Sequence, residues 1–218
     1  TKSHRKDFPG LILSDLTLIT YSNVVSKLFT DQKLFERELK VYHLAPPHVP
    51  ELISAGEAEI LGQKLCYITI KRIKGKAYLD LPNFSAAELG GALADFHAFS
   101  YKAGKCICHI DNQPKNILLA GNDYYFIDFS DSRRDYPEAD ITHLLLFWAE
   151  EYQYMDFITH ADKLLNRYQK DITLTPSRWS RLLKLNISSF DERRSKYNKA
   201  CKIAKDSSRN RDWLSNAI

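Results

Sequence analysis

Long apolar runs are missing from this 218-residue chain. No stretch approaches the ~20 apolar residues that a membrane-spanning helix needs, so none is expected. The first ten residues, TKSHRKDFPG, are basic but hold no apolar run, which speaks against a secretory signal peptide. Cysteine is sparse. Cys66, Cys106, Cys108 and Cys201 form no C-x-x-C pair and no paired metal-ligand spacing. Cys106-x-Cys108 has the makings of a metal or redox pair, but alternate residues of a strand point the same way and small buried thiols are common, so buried thiols are the expectation. Free thiols fit a reducing cytoplasm. Glycine is short at the front of the chain, where Gly10 is the only one before Gly56. A loop that cradles phosphate through several glycines is therefore lacking there.

What is present is the composition of an ordinary globular protein, 44% hydrophobic and 27% charged. The length allows one or two domains and a full-sized core. The net charge of +4 is unevenly spread. Residues 178–211 carry eleven Lys and Arg against three acids, a net +8 that leaves −4 for the rest. That segment is the expected place for an anionic partner: a lipid head group, a phosphorylated saccharide or RNA. Lys196, Lys199, Lys202 and Lys205 recur every three residues, a drifting helical stripe that equally describes a solvated face. Charge alone does not choose among these.

The pattern predicts an α+β protein. Leu16–Tyr21 and Val24–Phe29 read as strands around a Ser22-Asn23 turn. On the second, Val25, Lys27 and Phe29 share a face. A helix is predicted from Thr30-Asp31 to Pro46-Pro47, with Phe35, Leu39 and Tyr42 as its buried stripe. Glu38 lies at the edge of that stripe, whereas Glu36 points away. Glu57–Leu61 and Leu65–Lys71 read as a second hairpin, and Arg72–Ala77 as a connector. Ser85-Ala-Ala-Glu88 is a capping box that opens a helix to about Ser100, with Leu89, Leu93 and Phe96 inward. Thr142–Phe157, apolar nearly all round at 144–148, is expected to be a central helix. Two further helices are predicted at Arg178–Ile187 and Asp191–Lys205.

The chemistry concentrates in residues 108–131, CHIDNQPKNILLAGNDYYFIDFSD. An H-x-D-x-x-x-x-N element, from His109 through Asp111 to Asn116, precedes an apolar run, a turn and a second apolar run that ends in Asp128. Two acids and an asparagine at these spacings suit metal-assisted phosphoryl transfer: one carboxylate takes the acceptor's proton, and the other two groups hold the metal. His109 reads as a packed scaffold residue, since Asp111 already fills the base role. Asp131 reads as a turn residue.

Taken together, these motifs resemble the protein-kinase-like superfamily, in particular its small atypical members: aminoglycoside and choline kinases, lipopolysaccharide kinases, RIO kinases and the small kinase of the KEOPS complex. The resemblance runs over about residues 11–150. It implies a bilobal fold, with a short sheet-rich N-lobe at 1–72 and a mostly helical C-lobe at 73–218. It implies Asp111 as catalytic base, and Asn116 and Asp128 as ligands of Mg2+ or Mn2+. It also implies Lys27 as the ATP-phosphate lysine, Glu38 as that lysine's partner, Val25 packed on the adenine, and Lys71-Arg72-Ile73 as a hinge whose backbone bonds the adenine edge. Asp140 resembles the aspartate that anchors the catalytic-loop backbone.

The sequence departs from that pattern in four places. The glycine-rich loop is missing, leaving the turns near Ser14-Asp15 and Ser22-Asn23 to take its place. Ser130 stands where Asp-Phe-Gly has glycine. Gln113 occupies the place of the lysine found two residues after the catalytic Asp in ordinary protein kinases. Only about a dozen residues separate Asp128 from Asp140, too few for a phosphorylated activation segment. The expected function is an ATP-dependent phosphotransferase with a hydroxyl acceptor, most readily a sugar or lipid-linked saccharide. The competing readings are an atypical protein kinase or ATPase of RIO or KEOPS type, and a pseudokinase binding module. The expected location is the cytoplasm or the membrane surface.

Overall fold

The computed structural model describes residues 16–60, 62–81, 84–197 and 206–218. Its first part is a four-stranded antiparallel sheet in the order β1-β2-β4-β3, built from β1 (Leu16–Thr20), β2 (Val24–Phe29), β3 (Leu52–Ile60) and β4 (Gln63–Lys71). Helix α1 (Gln32–Leu44) follows β2. Its cap is Asp31, whose carboxylate accepts from the Lys33 and Leu34 N–H groups, two donors that the first helical turn leaves without partners. The alternation on β2 puts Lys27 opposite Ile68 of β4, facing α1. β3 begins at Leu52, earlier than its charged stretch suggests, because Leu52 and Ala55 pack against the core.

Beyond Arg72 the chain becomes mainly helical. β5 (Lys76–Ala77), β7 (Ile117–Ala120) and β8 (Asp123–Phe126) form a small sheet, and β6 (Cys106–Cys108) pairs with β9 (Arg133–Asp135). Helix α2 (Ala86–Ala98) starts at the Ser85 cap, whose hydroxyl accepts from Glu88 N. It crosses α4 (Tyr154–Tyr168) so closely that a Cβ on Gly90 would lie 2.5 Å from the Leu164 carbonyl. Helix α3 (Glu138–Glu151) is central, with Leu144, Leu145, Leu146 and Trp148 fully buried. Among the described residues no helix is long and apolar enough to cross a membrane.

Three helical expectations need correction. Thr142–Phe157 is not one helix, because the chain breaks at Tyr152-Gln153 between α3 and α4. The break is held from far along the sequence: Asn210 donates to the carbonyls of Ala149 and Tyr152, and Asp206 accepts from Tyr154 N. Both come from the segment of α6 (Ser207–Leu214), a helix that the pattern does not predict. Conversely, the two helices expected at 178–187 and 191–205 are continuous from Pro176 to Tyr197, as α5. Phe190 is buried against Phe147 and keeps the Ser188-Ser189 step helical. Of the lysine stripe, Lys199, Lys202 and Lys205 lie outside the described residues.

Candidate active site

A cleft of about 510 Å3 opens between the sheet and the helical part. Val25 and Leu18 line it on the sheet side, and Leu118 of β7 lines it on the other. Leu118 is not among the residues that the sequence reading assigns to the site, although an apolar residue two after Asn116 on a strand is the signal that finds it. The polar end of the cleft holds Lys27, Glu38, Asn116 and Asp128, and Arg72 and Ile73 also line it. Every residue proposed for nucleotide or metal therefore meets in this one space.

Lys27 is buried and bridges two acids. Its Nζ lies 2.5 Å from Glu38 Oε2 and 2.6 Å from Asp128 Oδ1. Glu38 is buried while Glu36 is not, in line with the helical phase. Burial pushes the Glu38 carboxyl up to about 7, against the pull of Lys27. Burial also raises Asp128, but there Lys27 and the Ser130 hydroxyl outweigh it and hold the carboxyl below its ordinary value. Ser130, in the glycine's place, thus donates to Asp128, which sits at φ +68°. Phe129 is fully buried and meets Tyr42 of α1 edge-on. Asp131 is exposed and lies 3.9 Å from Arg37.

The loop carrying Asp111 is held from beneath by α3. Asp140 Oδ2 accepts from His109 N at 2.7 Å and from His97 Nε2 at 2.9 Å, and Asp140 Oδ1 accepts from Ile110 N at 2.7 Å. Asn112 donates to the Asp140 carbonyl and accepts from His143 Nδ1. His109 pairs with the Ile127 carbonyl at 2.8 Å, a scaffold role. Asp111 Oδ2 accepts from Gln113 at 2.8 Å and from Asn116 Nδ2 at 3.1 Å, while Oδ1 is buried without a hydrogen-bond partner. Because the Asn116 amide nitrogen points at Asp111, its oxygen is turned away and is the atom left for a metal. Asn116 and an ionised Asp128 make an oxygen pair that suits Mg2+ or Mn2+.

Two expectations shift. The Arg72 N–H is already given to the Asn23 carbonyl at 2.8 Å, and that of Lys71 to Glu51 at 2.9 Å. Arg72 therefore has no backbone N–H to offer an adenine, and among the described residues the Ile73 N–H makes no such bond. The same bond, with Arg72 Nη1 on the Tyr21 carbonyl, ties the Ser22-Asn23 turn to this hinge. That turn is not placed to cradle phosphates, and Ser14-Asp15 lies outside the described residues. Cys106 and Cys108 are buried with their sulfurs 3.6 Å apart. His97, Cys106 and Cys108 place ligand atoms within 4.8 Å of one another. Both His97 ring nitrogens are engaged, by Asp140 and Tyr168.

The sequence did not disclose His143. Burial, and then the nearby Arg193, push its pKa down to about 4. Folded His143 stays neutral to about 4, whereas an unfolded histidine takes up a proton near 6.5. Between these values the unfolded chain binds more protons, so stability rises with pH across the window. It is expected to fall by up to about 3 kcal/mol as pH drops from 6.5 to 4, at 1.36 kcal/mol per pKa unit. Denaturant midpoints from pH 4 to 7 check this. His143→Asn, whose amide nitrogen takes the place of Nδ1 and still donates to Asn112, is expected to flatten that limb, and an unchanged slope would assign the acid sensitivity elsewhere.

No protein-family model matches the chain, and the comparison with curated proteins finds no match. Solved structures do match in fold. An amicoumacin kinase in complex with AMP-PNP and Ca2+ superposes with a TM-score of 0.65 at 11% identity, over 94% of this chain and 89% of that one. A choline/ethanolamine kinase family protein from Mesorhizobium loti gives 0.60 at 13% identity, over 94% and 84%. An aminoglycoside phosphotransferase from Streptomyces rimosus, in complex with ADP and streptomycin, gives 0.58 at 13% identity, over 79% and 92%. The first two superpositions reach beyond residues 11–150 into the C-terminal helices. This chain therefore has the bilobal fold of the protein-kinase-like superfamily.

Proposed function

We propose that the chain is an ATP-dependent phosphotransferase whose acceptor is a hydroxyl, with a sugar or lipid-linked saccharide as the favoured class. The observation that carries this reading is the convergence of Lys27, Glu38, Asn116 and Asp128 on one cleft, with Asp111 hydrogen-bonded to Asn116 and its Oδ1 without a hydrogen-bond partner. The fold relatives, phosphotransferases solved with nucleotide, support it. The lobes are taken to meet at Arg72-Ile73. The adenine would lie between Val25 and Leu118, with the Ile73 N–H at its edge.

In the transfer itself, the acceptor O–H gives its proton to Asp111 Oδ1 as its oxygen bonds the γ-phosphorus. The bond from that phosphorus to the β–γ bridging oxygen breaks, and ADP leaves with the electron pair. Lys27, aligned by Glu38, would hold the phosphates. A divalent ion on Asn116 and Asp128 would offset phosphate charge. Gln113 and Asn116 orient the base through Oδ2, which leaves Oδ1 for the acceptor.

Thermal shift with ATP, with and without Mg2+ or Mn2+, tests this reading. Wild type is expected to gain several degrees only when metal is present, by mass action on the folded state. Asp128→Ala is expected to lose that gain. No shift at millimolar ATP would move the weight to a pseudokinase.

A further inference from the structure

Asp111 does not face open solvent alone. Arg193, near the C-terminal end of α5, places Nη1 3.7 Å from Asp111 Oδ1. That distance exceeds a hydrogen bond but lies within reach of an ion pair. Oδ1 is the oxygen without a hydrogen-bond partner. Any hydroxyl that comes to it must also come alongside the guanidinium. The Arg193 side chain is 49% exposed and that of Asp111 17%, so the arginine can turn toward an arriving ligand while the carboxylate stays fixed.

The charges around this position favour one sign. On α5, two residues before Arg193 and so on roughly the opposite face, Asp191 is taken up by Arg211, with contacts of 2.9 and 3.1 Å. Lys115 lines the cleft. A lone arginine here is otherwise a handicap, because it competes with the acceptor for the base. An acceptor with its own acidic group removes the conflict: the acid takes the guanidinium and the hydroxyl takes Oδ1.

We infer that Arg193 selects acceptors carrying a carboxylate or phosphate close to the reacting hydroxyl. This inference rests on the phosphotransferase reading. The guanidinium's fork of donors matches both kinds of anion, which is why arginine suits the task better than lysine. For a hydroxyl and an acid that approach side by side, with hydrogen bonds of about 2.7–2.9 Å at each end, the two oxygens lie roughly 3–6 Å apart on the acceptor. Sugar acids and sugar phosphates have that spacing. A polycationic acceptor such as an aminoglycoside would meet repulsion instead.

The test uses the full chain with AMP-PNP and Mg2+ and a panel of gluconate, glucose 6-phosphate, glucose and glucosamine. Thermal stabilisation measures binding. With ATP in place of AMP-PNP, ADP release measures transfer. Gluconate or glucose 6-phosphate is expected to stabilise wild type and to exceed glucose in kcat/KM by about tenfold or more. The two anions separate a carboxylate site from a phosphate site. Arg193→Gln is expected to bring the anionic-to-neutral ratio to about one through KM, and Arg193→Lys to restore part of it. A merely structural role for Arg193 would change all acceptors alike and leave the ratio standing. That result overturns the inference, as does a wild-type preference for glucose or glucosamine. Stabilisation by AMP-PNP and Mg2+ with no response to either anion also overturns it, and leaves the phosphotransferase reading intact. No response to the nucleotide overturns that reading itself.

Discussion

Asp111→Asn is expected to reduce phosphoryl transfer by about 10^2–10^4-fold, the usual contribution of a positioned general base, while nucleotide and metal binding persist. The geometry makes this substitution unusually clean. Oδ2 of Asp111 receives hydrogen bonds from Gln113 and Asn116, and an asparagine oxygen can occupy the same place and keep both. What changes is the other atom. Oδ1, which has no hydrogen-bond partner, becomes an NH2 group that cannot accept a proton. The loop keeps its shape, since its anchors are backbone groups of His109 and Ile110 and the side chain of Asn112. A loss confined to kcat, with metal-dependent thermal stabilisation at the wild-type level, is the expected signature. ATP hydrolysis, with water as the acceptor, supplies the rate until an acceptor is identified. If Asp111→Asn turns over at the wild-type rate, the base has been misassigned and Asp111 is a structural residue.

How far the sequence discloses this site depends on how local each interaction is. Glu38 was legible because a helix repeats every 3.6 residues, so its phase relative to Phe35, Leu39 and Tyr42 decides which acid turns inward. Asp111, Asn116 and Asp128 were legible because their spacing is set by one loop and one hairpin, β7–β8. The expectations that the structure corrects involve partners far apart in the chain. The Arg72 N–H is consumed by Asn23, and nothing near Arg72 announces it. The Tyr152 break depends on Asn210 and Asp206. The single helix α5 depends on Phe190 finding Phe147. In the sequence Arg193 is one more cation in a basic segment. Its meaning comes from the fold, which carries it to Asp111, and from Arg211, which takes up Asp191 of α5.

Asp140→Ala is the substitution expected to damage the fold most, by about 3–5 kcal/mol, the range for breaking a buried charged pair. Asp140 is fully buried, and burial alone would raise its pKa. The His97 hydrogen bond and charge, with the His109 N–H, outweigh burial and hold it ionised. Removing the carboxylate strands two backbone N–H groups, one buried and one half-buried, and leaves His97 without its acid. One of those N–H groups belongs to Ile110, whose φ of +71° is strained for a β-branched residue and of order 1–3 kcal/mol unfavourable. The Asp140 hydrogen bond holds that conformation in place, and the conformation aims Asp111. At about 2–4 °C per kcal/mol for a chain of this size, Tm should fall by roughly 6–20 °C. Below the new Tm, Ile110 is free to relax to negative φ, so turnover should fall more than nucleotide binding does. Asp140→Asn, which still accepts at one oxygen, should lie between the two. A Tm within about 3 °C of wild type for Asp140→Ala would mean that the loop holds its own shape, and that the strain at Ile110 is borne by the neighbouring Asn112–His143 contact instead.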